Sequence, residues 1–144
     1  GNLMHKQQTG GQLLYPLVDE NWQVNKDRVQ TIQQLKHDIQ QRDACELYDS
    51  IRLGGFEVLA GNKAGLKAFS QELEADAPYP IRLPGHGAYH SPMMQSISEQ
   101  ARHELNADLF AHPDYPLIDG RGGIWKPHSS QPAKLWDYTL GTQI

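Results

Sequence analysis

The apolar positions of the chain change their spacing several times, and each change marks an element. Residues 12–18, Gln12-Leu13-Leu14-Tyr15-Pro16-Leu17-Val18, are a short apolar run that reads as a strand, with Pro16 pointing to an edge or a bulge. After a polar turn, Asn25 stands where a helix cap is favoured. Val29, Ile32, Leu35 and Ile39 then recur at three- and four-residue intervals, one buried helical stripe that ends near Arg42-Asp43. Residues 46–51 and 55–60 read as two strands joined across Arg52-Leu53-Gly54. A helix with Leu66, Phe69 and Leu73 on one side follows Gly61 and runs to about Ala75, and residues 80–83 make a fourth short strand. The order strand, helix, strand, strand, helix, strand predicts an α+β fold of the ferredoxin-like split βαβ kind.

Past this pattern, Ser91 is a favoured N-cap, Pro92 suits a first helical position, and Met94, Ile97, Ala101 and Leu105 repeat as one buried face requires. A helix is therefore predicted to start directly after His90. Residues 115–119 are a short strand candidate, residues 120–123 a glycine-rich loop, and Pro132 opens a last helix from Ala133 to about Leu140. At the other end, residues 1–11 are polar and read as the end of a preceding helix, stopped by Thr9-Gly10-Gly11. The chain opens on Gly1 rather than methionine, as an internal segment, a processed product or a trimmed form would. Met93, Met94 and the three tryptophans, Trp22, Trp125 and Trp136, are expected to serve packing.

Composition narrows the classes. The chain has 144 residues, 38% of them hydrophobic, a mean hydropathy of -0.63, a formal charge of -4 and a pI near 5.9. That balance gives no electrostatic reason to expect nucleic acid, and no apolar stretch approaches the roughly 20 residues of a spanning helix. No secretory signal pattern is present. The single cysteine, Cys45, leaves no internal disulfide framework and agrees with a reducing cytoplasm; it reads as a small packing residue.

The chemistry centres on Pro84-Gly85-His86-Gly87-Ala88-Tyr89-His90. An imidazole just before a helix N-terminus faces unpaired N–H groups and a positive dipole end, which disfavour a second proton, so His90 is expected to be neutral and able to accept one. The bland alternative is a loop histidine that hydrogen-bonds a backbone group. His86 and His90 are four residues apart, but Gly85, Gly87 and the Ser91-Pro92 start place both before a continuous helix, and no metal site is expected. His86 reads as a loop residue lining the cleft. Gly120-Arg121-Gly122-Gly123 lacks the lysine and the spacing of a phosphate cradle.

Tyr89-His90-Ser91-Pro92-Met93-Met94 resembles the histidine segment of the malonyl-CoA:acyl-carrier-protein transacylases and related acyltransferase domains. Upstream, Val58-Leu59-Ala60-Gly61-Asn62-Lys63 resembles the strand-to-helix turn of that family. The resemblance implies an acyltransferase that moves malonyl from malonyl-CoA to the phosphopantetheine thiol of an acyl carrier protein through a serine acyl-enzyme. In it His90 is the catalytic general base and acid, and no cofactor is needed beyond the substrate and the partner's phosphopantetheine. Residues 12–84 would be the ferredoxin-like small subdomain. Residues 85–144 would carry the histidine segment back into an α/β hydrolase-like acyltransferase body. Tyr89 would fill the space an α-methyl group needs, favouring malonyl over methylmalonyl, and one methyl is worth about 1–3 kcal/mol of discrimination. Arg52 and Arg82 are candidates for CoA phosphate or carrier contacts, beside a reading as solvated surface arginines.

The family's nucleophilic serine sits in a GxSxG elbow. Here Ser50, Ser70, Ser91, Ser96, Ser98, Ser129 and Ser130 all lack that setting. The serine and an arginine for the malonyl carboxylate are expected before Gly1, the backbone group that orients the histidine after Ile144, and the whole is expected to be a roughly 300-residue, two-lobed enzyme. Alone, this chain is expected to be inactive, since such groups act as a unit. The expected location is cytoplasmic, and both fatty-acid and polyketide synthesis stay open as the pathway. Two rival readings are a non-catalytic ferredoxin-like module that binds a carrier protein, and an acyl hydrolase on the same fold.

Overall fold

The structure, a computed structural model, describes residues 6–7, 9–73 and 78–142. The chain divides into two compact units, Gly1–Met94 and Gln95–Ile144. Of the expected preceding helix, Lys6 and Gln7 are helical, residues 1–5 and 8 lie outside the described residues, and Gly11 already belongs to the first strand.

The first unit is built on β1 (Gly11–Pro16), α1 (Lys26–Gln40), β2 (Leu47–Arg52), β3 (Phe56–Gly61), α2 (Lys63–Glu72) and β4 (Ile81–Arg82), in the order the apolar spacing predicts. The strands form one antiparallel sheet in the order β2-β3-β1-β4. Pro16 therefore lies on a central strand. Leu17 N donates to Gly55 O on the β3 side, so alternation turns the Pro16 nitrogen toward the β4 side, past the point where β4 stops pairing at Leu14. The missing N–H costs no ladder bond there.

One sheet face carries Leu13, Tyr15, Leu47 and Leu59 against Ile32 and Ile39 of α1 and Leu66 and Phe69 of α2, and Tyr15 meets Phe69 with ring centroids 5.1 Å apart. Asn25 caps α1 as expected, accepting from Arg28 N, and Cys45 packs at the margin of this core. The buried stripe of α1 also includes Lys36, whose Nζ lies 2.5 Å from Asp49 Oδ1 and 3.3 Å from Glu57 Oε1. Tyr15 donates its hydroxyl to Glu57 Oε2, completing a charge cluster under the sheet. Asn62 caps α2, its Oδ1 accepting from Gly65 N, and a Cβ at Gly65 would stand 2.3 Å from Glu46 O. The glycine there lets helix and chain lie in contact. Leu73 turns extended and ends α2 at Glu72; the expected continuation to Ala75 enters residues outside those described.

The second unit holds α3 (Gln95–Glu104), a hairpin of β5 (Leu117–Ile118) and β6 (Ile124–Trp125), and α4 (Pro132–Asp137) running into a π turn at Tyr138–Thr142. Ile97 and Ala101 are buried as predicted, but Leu105, one residue past the end of α3, is 42% exposed. Trp22 is likewise no buried anchor: it is 72% exposed on a left-handed turn, φ 60°, with its ring tilted against Phe56. Among the described residues no helix is long and apolar enough to cross a membrane.

Candidate active site

The loop after β4 folds back over the end of the sheet. Ala88 N donates to Thr9 O at 2.7 Å, and Ala88 is fully buried. Gly10 makes this possible: it has φ +70°, and a Cβ there would stand 2.4 Å from Gly61 O and 2.9 Å from Ala88 Cβ.

A second set of bonds holds the next peptide. Gln12 projects from β1 on the sheet face away from the two helices, only 1% exposed, and its Nε2 donates to Ser50 Oγ at 2.8 Å and to Tyr89 O at 3.2 Å. Ser50 Oγ also donates to Tyr89 O, at 2.8 Å. The pairing of β2 with β3 shifts register between Asp49 and Ile51, a bulge at Ser50 that leaves Asp49 on the helix side and frees the Ser50 hydroxyl for the loop. Gln12 Oε1 meets His86 Nδ1 at 2.7 Å. Because the amide nitrogen must face the carbonyl of Tyr89, the oxygen faces His86, and His86 carries its proton on Nδ1. The rings of His86 and Tyr89 lie 5.8 Å apart.

His90 follows with φ 56°, in the left-handed region. For a residue with a Cβ this costs about 1–2 kcal/mol. Two hydrogen bonds onto the preceding carbonyl, at about 0.5–1.5 kcal/mol each, are of the size needed to offset it. The ring is half-buried, and loss of solvation holds its pKa below the ordinary histidine value. The direction agrees with the expectation from sequence, but the cause differs. Helical structure does begin at Pro92, as a 3-10 turn over Pro92–Met94 that runs into α3 at Gln95, but the Ser91 hydroxyl donates back to Ala88 O instead of capping it. The cause that the structure shows is burial.

The structure thus brings together His90, Tyr89 and His86 of the residues picked from sequence. It does not bring Arg52 to them. That guanidinium, 75% exposed, lies 3.4 Å from Asp49 Oδ2 and 3.8 Å from Glu57 Oε1, carboxylates on the face covered by α1. Charge pairing within the sheet explains the departure. Gln12 and Ser50 were missed; the available signal was a lone amide inside an apolar strand run. No hydrogen bond reaches the His90 ring among the described residues, and the Ser50 and Ser91 hydroxyls are spent on carbonyls. No group of three or more His, Cys, Asp or Glu is placed to hold a metal ion among the described residues. A separate cleft of about 520 Å³, lined by Trp22, Arg28, Phe56 and Tyr79, opens at the far end of the β1–β3 pair, where Pro16 meets Phe56.

An α+β unit with an antiparallel sheet, followed by a clamped histidine loop, defines a fold that solved structures share. They are malonyl-CoA:acyl-carrier-protein transacylases, in keeping with the resemblance in the histidine segment. The acyl-carrier-protein S-malonyltransferase from Burkholderia pseudomallei 1710b matches with a TM-score of 0.70 and 15% identity, over 99% of this chain and 43% of that one. The malonyl-CoA:ACP transacylase of Synechocystis sp. PCC 6803 matches with 0.68 and 16%, over 99% and 42%. A malonyl-transacylase solved in complex with a type II PKS acyl-carrier protein matches with 0.63 and 12%, over 98% and 42%. The chain spans about two fifths of the length of these structures, and at such identities the likeness is one of fold. Sequence comparison matches no family model and no curated protein.

Proposed function

We propose that this chain is the histidine-bearing part of an acyltransferase that carries malonyl from malonyl-CoA to the phosphopantetheine thiol of an acyl carrier protein. In this reading residues 12–84 are a ferredoxin-like split βαβ small subdomain, and residues 85–144 belong to an α/β hydrolase-like body in a cytoplasmic enzyme. The observation that carries it is His90: a half-buried imidazole, disfavoured from taking a second proton, held in a left-handed backbone on a fold shared with transacylases.

A serine outside these residues would attack the thioester carbonyl while His90 takes its proton. His90 would return that proton to the departing CoA thiolate, leaving a malonyl-serine ester. In the second half the carrier thiol gives its proton to His90 and attacks the ester, and the serine recovers its hydrogen. Tyr89 would border the acyl group, and His86 would line the approach. Arg52 is left out of the site by its carboxylate partners.

The test uses the complete reading frame containing these residues, with carrier-bound malonyl and free malonate followed by mass spectrometry. His90→Ala is expected to lower transfer by on the order of 10²–10⁴-fold. Undiminished transfer in that variant sinks the proposal. Free malonate as the main product favours the hydrolase instead, and carrier binding without turnover favours the binding module.

A further inference from the structure

We propose that Gln12 is a positioning residue for His90, acting together with Ser50 through the carbonyl of Tyr89. Its consequence for catalysis rests on the acyltransferase reading; the geometry does not.

An amide is an odd choice for a central strand position that is 1% exposed. Its neighbours on that sheet face, Leu14, Val58 and Ala60, are apolar. All of the side chain's bonds leave its own strand: Nε2 goes to Ser50 Oγ and Tyr89 O, and Oε1 to His86 Nδ1. Tyr89 O receives a second bond from Ser50, which the β2 bulge turns toward the loop. That carbonyl belongs to the peptide whose nitrogen is His90's own. Fixing its plane fixes the axis about which the His90 φ of 56° is set, and so where the imidazole starts from. A strained backbone persists only when its surroundings over-determine it. Gln12 and Ser50 supply that constraint, and the same amide sets the His86 tautomer beside it.

The variants are Gln12→Met, nearly equal in shape without polar atoms, and the pair Ser50→Ala and Ser50→Thr, which removes or keeps the hydroxyl. Two readouts are used: NMR titration of the His90 ring in the 144-residue chain, and kcat, KM and pH profile of malonyl transfer in the complete reading frame. Gln12→Met is expected to move the His90 midpoint up toward the ordinary value of about 6.5. It should lower kcat by on the order of 10–100-fold with KM little changed. Ser50→Ala should follow it, Ser50→Thr should resemble the parent, and the double variant should fall short of additivity because both groups act on one carbonyl.

Folded Gln12→Met and Ser50→Ala proteins with the parent His90 titration would overturn the proposal, as would an equal loss in Ser50→Ala and Ser50→Thr. Folding is read from the Tyr15 and Phe69 ring resonances. Should Gln12→Met fail to fold, the Ser50 pair decides. If the complete protein transfers no malonyl, the acyltransferase reading falls, while the ring titration still decides whether Gln12 positions His90.

Discussion

His90 loses part of its hydration where the loop folds over the sheet, and the charged imidazolium loses more by this than the neutral ring. Its midpoint in an NMR titration is therefore expected below about 6.5. The sign carries into stability. A folded pKa below the unfolded one means that the unfolded chain binds the proton more readily. The contribution is present above the unfolded pKa and is lost as pH falls through the folded value. An acid limb of activity in the complete protein should track the same midpoint. His90, Tyr89 and His86 could be picked out because they sit together in one short segment that Gly85 and Gly87 open and Ser91-Pro92 closes. Gln12 was not, since it touches that segment only across a long sequence separation, and a single amide in Leu13-Leu14-Tyr15 company carries no motif. Ser91 misled for a related reason: a hydroxyl before Pro92 can cap a helix or bond backward, and only the folded loop offers it Ala88 O.

Among the elements, α1 is fastened to the sheet by charge as well as by Ile32 and Ile39. Partial burial works to raise the Asp49 carboxyl, but the hydrogen bond and charge of Lys36, and then of Arg52, outweigh it and hold the group below its ordinary value. Burial, followed by Glu57, pushes the Tyr15 hydroxyl well above its own. Among the described residues, Lys36→Met leaves the buried Glu57 with only the exposed Arg52, 3.8 Å away, as a cation and is expected to cost up to about 3–5 kcal/mol in urea unfolding. Adding Glu57→Gln should recover part of that loss. The β5–β6 hairpin is held differently. Asp119 accepts from the Arg121 side chain and from the backbone N–H groups of Arg121 and Gly123, which with Trp125 Nε1 draw its pKa down to about 2. Its contribution is present above the unfolded value near 3.9 and is lost as pH falls toward about 2, so the Trp125 indole resonance should shift in that window. Asp119→Asn should remove the acid transition. The six elements of the first unit could be read from sequence because each has its own period and a glycine or polar turn at its ends. β6 could not, since Ile124-Trp125 is too short to show a period and its partner strand is only two residues long.

At the scale of the whole molecule, the chain spans 42–43% of the length of transacylases whose fold it shares, while serines of its own are bonded to carbonyls. Ser50 and Ser91 serve carbonyls of the histidine loop, and Ser98 in the second unit donates to Leu140 O. A hydroxyl that already donates to a carbonyl must give up that bond before an imidazole can take its proton, and none of these stands in a turn that would expose it between glycines. The proposed chemistry therefore divides between residues in this chain and residues beyond it. Incubated with malonyl-CoA, the 144-residue protein is expected to show no covalent malonyl adduct by intact mass, whereas the complete reading frame should show one that a carrier thiol then removes. Replacing the serine of a GxSxG elbow in that longer protein should abolish the adduct. His90→Ala should slow its formation and its discharge together, because one imidazole serves both half-reactions. An adduct on the 144-residue chain itself, mapped to Ser50 or Ser91, would place the nucleophile inside this chain and reverse this division of labour.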